Sequence, residues 1–142
     1  MPILDENLGM SIERINPDEL HRPPGYHHVT IATASRLVFL AGQCPVRQDG
    51  SIPDEDDLAE QVRVTVGNCM IALAAAGAVP SDVVRAVVYV ASSDREVLSS
   101  LWSELMNSEL REAFSSASTL LGVACLGFPR QRVEIDLTAA LS

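Results

Sequence analysis

No apolar run in this chain of 142 residues approaches the roughly 18 that a membrane-spanning helix requires, and acids stand near the N-terminus where a secretion signal would carry basic residues. A cytoplasmic protein is the expectation. The three cysteines, Cys44, Cys69 and Cys125, are an odd number without a C-x-x-C pair, which argues against a disulfide framework and for a reducing compartment. Positive charge is scarce too: 10 Lys and Arg against 19 Asp and Glu give a net charge of −9. Such a surface repels phosphates, so neither nucleic acid nor a membrane is an expected partner. Glycine-rich phosphate loops, a Ser-His-Asp order, internal repeats and low-complexity tracts are also missing.

Metal chemistry has little support. His21, His27 and His28 cluster in sequence, but adjacent histidines on a strand point to opposite faces, and no Cys or carboxylate joins them at zinc spacing. No metal and no cofactor is expected. The acidic stretch Asp54-Glu55-Asp56-Asp57 reads as the start of a helix, where carboxylates complement the helix dipole.

What is present is an alternation of strands and helices. Leu58, Val62, Val66, Cys69 and Leu73 recur at helical spacing, predicting a helix over about 55–77 that stops near Gly77. A second helix opens with Ser93 and Glu96 in capping-box register and continues through Leu98, Leu101, Trp102 and Leu105. Strands are predicted over 28–33, 36–41, 82–91, 119–126 and 131–139, with a short one near 11–15. The order β-β-β-α-β-α-β-β describes one α+β domain over residues 10–142, and residues 1–9 read as an extension. In the run Val83–Ala91, strict alternation puts Val83, Arg85, Val87 and Tyr89 on one face and Val84, Ala86, Val88 and Val90 on the other. Both faces are largely apolar. Two helices cover one side of such a sheet, so the other is expected to meet further copies of the chain.

The segments Gly25-Tyr26, Leu37 through Gly42-Gln43-Cys44-Pro45, Gln61 through Asn68 to Ala76-Gly77, Asp82 through Val90, Gly122-Val123-Ala124 and Val133-Glu134-Ile135 resemble the RidA (YjgF) family in order and spacing. The resemblance implies a chorismate-mutase-like α+β fold, a mixed sheet of about six strands packed on two helices. It also implies a homotrimer with the sheets forming an inner barrel and small-molecule pockets at the subunit interfaces. Members of that family hydrolyse reactive imines and enamines, the products of PLP-dependent dehydratases, to the corresponding 2-oxo acids and ammonia. By position, the resemblance implies a water-handling carboxylate at Glu134, a pocket tyrosine at Tyr26, and backbone contacts at Gly42 and Leu120.

One position departs from the pattern. The substrate-gripping arginine of the family falls on Ser118, and a serine cannot replace a bidentate guanidinium. Arg111, Arg130 and Arg132 are the basic side chains with which the chain could make good the loss. Two readings remain open: an imine or enamine deaminase with altered substrate choice, and a non-catalytic trimer that binds a small molecule or a partner. A ribonuclease-like activity fits the charge of −9 least well.

Overall fold

The computed structural model describes residues 11–142; the expected extension at 1–9 lies outside them. Six strands and two helices follow the predicted order: β1 (Ser11–Ile15), β2 (Val29–Thr33), β3 (Arg36–Phe39), α1 (Leu58–Ala75), β4 (Val83–Val90), α2 (Arg95–Met106), β5 (Ala117–Gly122) and β6 (Val133–Leu141). The main sheet is mixed, in the order β3-β6-β4-β5, with β4 and β5 parallel and the other pairs antiparallel.

Each helix is set by chemistry at its ends. Asp57, the last acid of the acidic stretch, caps α1 by accepting from the Glu60 amide. The helix closes at Gly77, whose φ of +78° is the left-handed conformation that glycine adopts without strain. In α2 the cap lies one residue beyond the predicted Ser93: Asp94 accepts from the Glu96 amide, and its own amide donates to the Ser92 hydroxyl. Val62, Val66, Cys69 and Leu73 of α1 and Leu101 and Leu105 of α2 are all buried against one face of the sheet, as their spacing requires. Gln61 is buried on the same face with its amide fully used. It donates to the Pro53 and Arg130 carbonyls and accepts from the Arg132 amide, tying α1 to the loop before β6.

Two expectations need correction. The alternation read through Val83–Val90 breaks at a β-bulge: Val83 pairs with Ala139 and Arg85 with Thr138, leaving Val84 without a partner. Val83 therefore joins Ala86, Val88 and Val90 in the core, while Arg85, Val87 and Tyr89 keep the other face. The six strands also divide into two sheets, because β1 and β2 form a separate hairpin. That hairpin is held where β4 and β5 begin. The Thr30 hydroxyl donates to the carbonyl of bulged Val84 and accepts from the Ala117 amide, and the His27 amide donates to the Ser116 carbonyl.

Gly122 at the end of β5 is fixed by a close approach. A Cβ there would stand 2.5 Å from the Ser92 carbonyl oxygen, a backbone atom that cannot swing away. Gly122→Ala should cost about 1–3 kcal/mol, the usual range for overpacking. Urea denaturation checks this; an unchanged midpoint would show that the β5 end is not held against Ser92.

Candidate functional site

The five residues singled out in the sequence fall into two groups. Tyr26, Ser118 and Leu120 line one pocket of about 340 Å³, together with Pro24 and with Ser99, Trp102 and Ser103 of α2. Gly25 turns the chain into it with a φ of +102°, and a Cβ there would meet the Met106 side chain at 2.8 Å. The Tyr26 hydroxyl lies 3.0 Å from His21 Nε2, its ring meets that of Trp102 edge-on, and the Trp102 indole donates to the Pro24 carbonyl. The Ser118 hydroxyl is turned back on its own chain, donating within reach of the Phe114 and Ser116 carbonyls at 3.2 and 3.0 Å.

Among the described residues, none that lines this pocket is charged. Arg132 is used elsewhere, donating to the Ala91 and Glu55 carbonyls, and Arg111 donates to the Ser108 carbonyl. Arg130 sits in the loop before β6 with a φ of +66°, its carbonyl accepting from Gln61. None of these three arginines is among the residues that line the pocket in the single chain.

Glu134 and Gly42 form the second group. Glu134 lies near the start of β6 opposite Tyr89, and the segment Gly42–Cys44 is pinned beside it by reciprocal backbone hydrogen bonds between Gln43 and Ile135. Two donors meet one carboxylate oxygen. Cys44 Sγ is 3.1 Å and Gln131 Nε2 is 3.2 Å from Glu134 Oε1. The other oxygen, Oε2, lies over Gly42, where a Cβ would be only 2.5 Å away. Gly42 thus makes room for the carboxylate by having no side chain. Burial, and after it the hydrogen bond and negative charge of Glu134, push the Cys44 thiol up to about 12, so it stays a neutral donor at physiological pH.

The two groups do not meet within one chain. Ser118 is in register with Ala86 and Leu120 with Val88, both fully buried, so their side chains lie on the helix side of the sheet. Glu134 is in register with Tyr89 and Asp136 with Val87, on the open side. That open side carries Leu37, Phe39 and Leu121, which are 60%, 74% and 41% exposed.

Comparison with known proteins assigns the architecture. The profile described as Endoribonuclease L-PSP matches residues 19–141. The chain belongs to this family. Among solved structures of the Rid type, a family member of unknown function from Yersinia pestis, YyfB, is similar at 29% identity and a TM-score of 0.82, over 92% of this chain and 98% of that one. Rv2704 from Mycobacterium tuberculosis, a YjgF/YER057c/UK114 protein, is 27% identical with a TM-score of 0.54, over 92% of this chain and all of the other. TdcF from E. coli, solved with bound serine, shares the fold at 24% identity and a TM-score of 0.61, over 87% and 91% of the two chains. No curated protein matches the chain. The two helices packed on a mixed sheet are thus the Rid architecture, and among the described residues no helix is long and apolar enough to cross a membrane.

Sequence reasoning missed six contributors to these groups, Pro24 and Trp102 among them. Ser99 and Ser103 stand one helical turn apart on the polar side of α2 and look like ordinary solvated residues. Gln131 carries no sequence signal, being a lone amide in a loop. Cys44 had one: it lies two residues from Gly42 in an extended segment, which puts both on the side that faces Glu134.

Proposed function

We propose that the protein is a Rid-type hydrolase of reactive imines or enamines, working in the cytoplasm as a homotrimer. Its complete site would form where the Tyr26–Ser118–Leu120 pocket of one subunit meets the Glu134–Gly42 group of the next. The division of these residues between opposite faces of one sheet is the observation that carries this reading. A second copy is the simplest way to join them, and the exposed Leu37, Phe39 and Leu121 give it an apolar face to bury.

The chemistry asks little of the protein. A protonated imine carbon is already electrophilic, so the reaction calls for a positioned water and a proton acceptor rather than a covalent nucleophile. As the water oxygen bonds to carbon, Glu134 takes one of its protons and the C=N electron pair moves to nitrogen, giving a carbinolamine. The proton then passes to that nitrogen and the C–N bond breaks, its electron pair leaving with ammonia. The hydroxyl oxygen closes the carbonyl, and its proton leaves on ammonia as ammonium. The uncharged pocket favours a substrate without a carboxylate, whose burial beside Leu120 and Trp102 would be unpaired and costly.

The uncharged lining also gives weight to the second reading, a trimer that binds a neutral small molecule without turning it over. The rate of ammonia release above the uncatalysed rate, from a panel of imines made in situ by oxidation of small primary amines, separates the two. Saturable binding without that excess would favour the second. Nucleolytic activity has the net charge of −9 against it.

Assembly is tested separately. Light scattering at micromolar concentration should give three times the chain mass of 15.3 kDa. A mass near that of the single chain would rule out a site shared between subunits.

A further inference from the structure

We infer that Cys44, supported by Gln131, is a positioning residue that occupies Oε1 of Glu134 as a hydrogen-bond donor and so assigns Oε2 as the oxygen that takes the proton from water; this rests on the reading of Glu134 as the proton acceptor. The geometry on both sides of the carboxylate is built for it. Gln131 is almost wholly buried, and the Phe128 amide donates to its side-chain oxygen, which fixes the side-chain nitrogen toward the Val133 carbonyl and Glu134 Oε1. Cys44 approaches the same oxygen at 3.1 Å. Its backbone cannot drift, because Asn68 of α1 donates to the carbonyls of Cys44 and Val46 at 2.8 and 2.9 Å, while Gln43 is bonded to Ile135 through both its amide and its carbonyl.

With two donors on one oxygen, the carboxylate can neither rotate freely nor spread its hydrogen bonds evenly. Oε2 receives no donor among the described residues and rests over the bare Cα of Gly42. A water approaching there meets the oxygen with its lone pairs unclaimed. Cys44 is unsuited to act as a nucleophile in this position, since it stays a thiol, with the Glu134 carboxylate at 3.1 Å as the nearer of its two acceptors and the Gly42 carbonyl at 3.5 Å as the other. A serine would keep a donor in the same place, and an alanine would remove it.

The test has a spectroscopic arm and a kinetic arm. In the Raman spectrum of the full-length protein, the S–H stretch that disappears in Cys44→Ser should lie at lower wavenumber than those of Cys69 and Cys125, and should move up in Glu134→Ala. Where Glu134→Ala does not fold, Glu134→Gln serves: its neutral oxygen accepts more weakly, and the band should move the same way by less. For the kinetic arm, benzaldimine generated from benzylamine by an amine oxidase is the first probe, followed by the rest of the imine panel. Cys44→Ala should lower kcat about tenfold with KM unchanged, the loss expected for one hydrogen bond to a charged group, and Cys44→Ser should recover most of it. An S–H band indifferent to residue 134, or a Cys44→Ala kcat equal to wild type, would overturn the proposal. No turnover by the wild type on any imine would instead overturn the catalytic reading of Glu134, and the positioning role with it, whatever the Raman bands show.

Discussion

Glu134→Gln should leave a folded protein with unchanged assembly and ligand affinity, and should lower kcat by about 10²–10⁴-fold, the span attributed to a well-placed general base. Glutamine is nearly the same size as glutamate. Its carbonyl oxygen can take the place of Oε1, accepting from Cys44 and Gln131, while its amide stands over Gly42 where Oε2 was. What glutamine cannot do is take a proton from water. The comparison is made by following ammonia release from the same imines with wild type and variant side by side, with light scattering on both. Equal rates would remove Glu134 from the mechanism. A slow variant that had also lost its assembly would point to a structural role instead, because the carboxylate lies on the open face of the sheet beside Tyr89. Loss of kcat with KM and mass unchanged is the pattern that the proton-acceptor role alone produces.

How much of this was legible before the structure varies by element, and the reasons are physical. The buried stripe of α1 was readable because the helical period forces Leu58, Val62, Val66, Cys69 and Leu73 to one side, and the structure buries the last four fully and Leu58, in the first turn, in part. The Val83/Val84 bulge was not, since two identical side chains carry no mark of which one leaves the ladder. The capping position of α2 failed for a related reason. Ser92, Ser93 and Asp94 are all good cap formers, and spacing to Glu96 favours the wrong one. The docking of the β1–β2 hairpin was hidden because its bonds come from the Thr30 hydroxyl, the Arg14 guanidinium and the His27 amide, none of which is marked in the sequence.

The site divides in the same way. Tyr26 shares a pocket with Ser118 and Leu120, about ninety residues on, and Gly42 and Glu134 share a contact across a similar separation. Composition and periodicity gave no route to either grouping, and the resemblance of ordered segments implied the five residues as parts of one pocket without dividing them. What neither approach supplied was the separation of the two groups onto opposite sides of the sheet. That depends on the register of β5 and β6 against β4, which the alternation within each strand does not specify.

On 2-iminobutanoate, supplied by a threonine dehydratase in a coupled assay, the protein should be slower than an arginine-bearing relative by at least about a hundredfold. Two charge-assisted hydrogen bonds to the substrate carboxylate are worth about 1.5–3 kcal/mol each, so their loss amounts to roughly two to four powers of ten. The pocket offers no substitute, because its lining is aromatic, aliphatic and hydroxylic, and the Ser118 hydroxyl already donates within its own chain. A rate equal to that of the relative would mean that an arginine from another subunit, such as Arg111 or Arg130, reaches the substrate in the assembled protein. Ser118→Arg is the complementary experiment. The new side chain would start from the wall of a pocket of about 340 Å³, beside Tyr26 and Leu120, with no resident cation to repel it. It should raise the rate on the carboxylated imine by about tenfold or more while lowering the rate on neutral imines, since an unpaired guanidinium in that pocket would have to be desolvated for a substrate that offers it no partner. Opposite movement of the two rates would identify residue 118 as the selector of substrate charge; movement of both in the same direction would show that it acts on the pocket's shape alone.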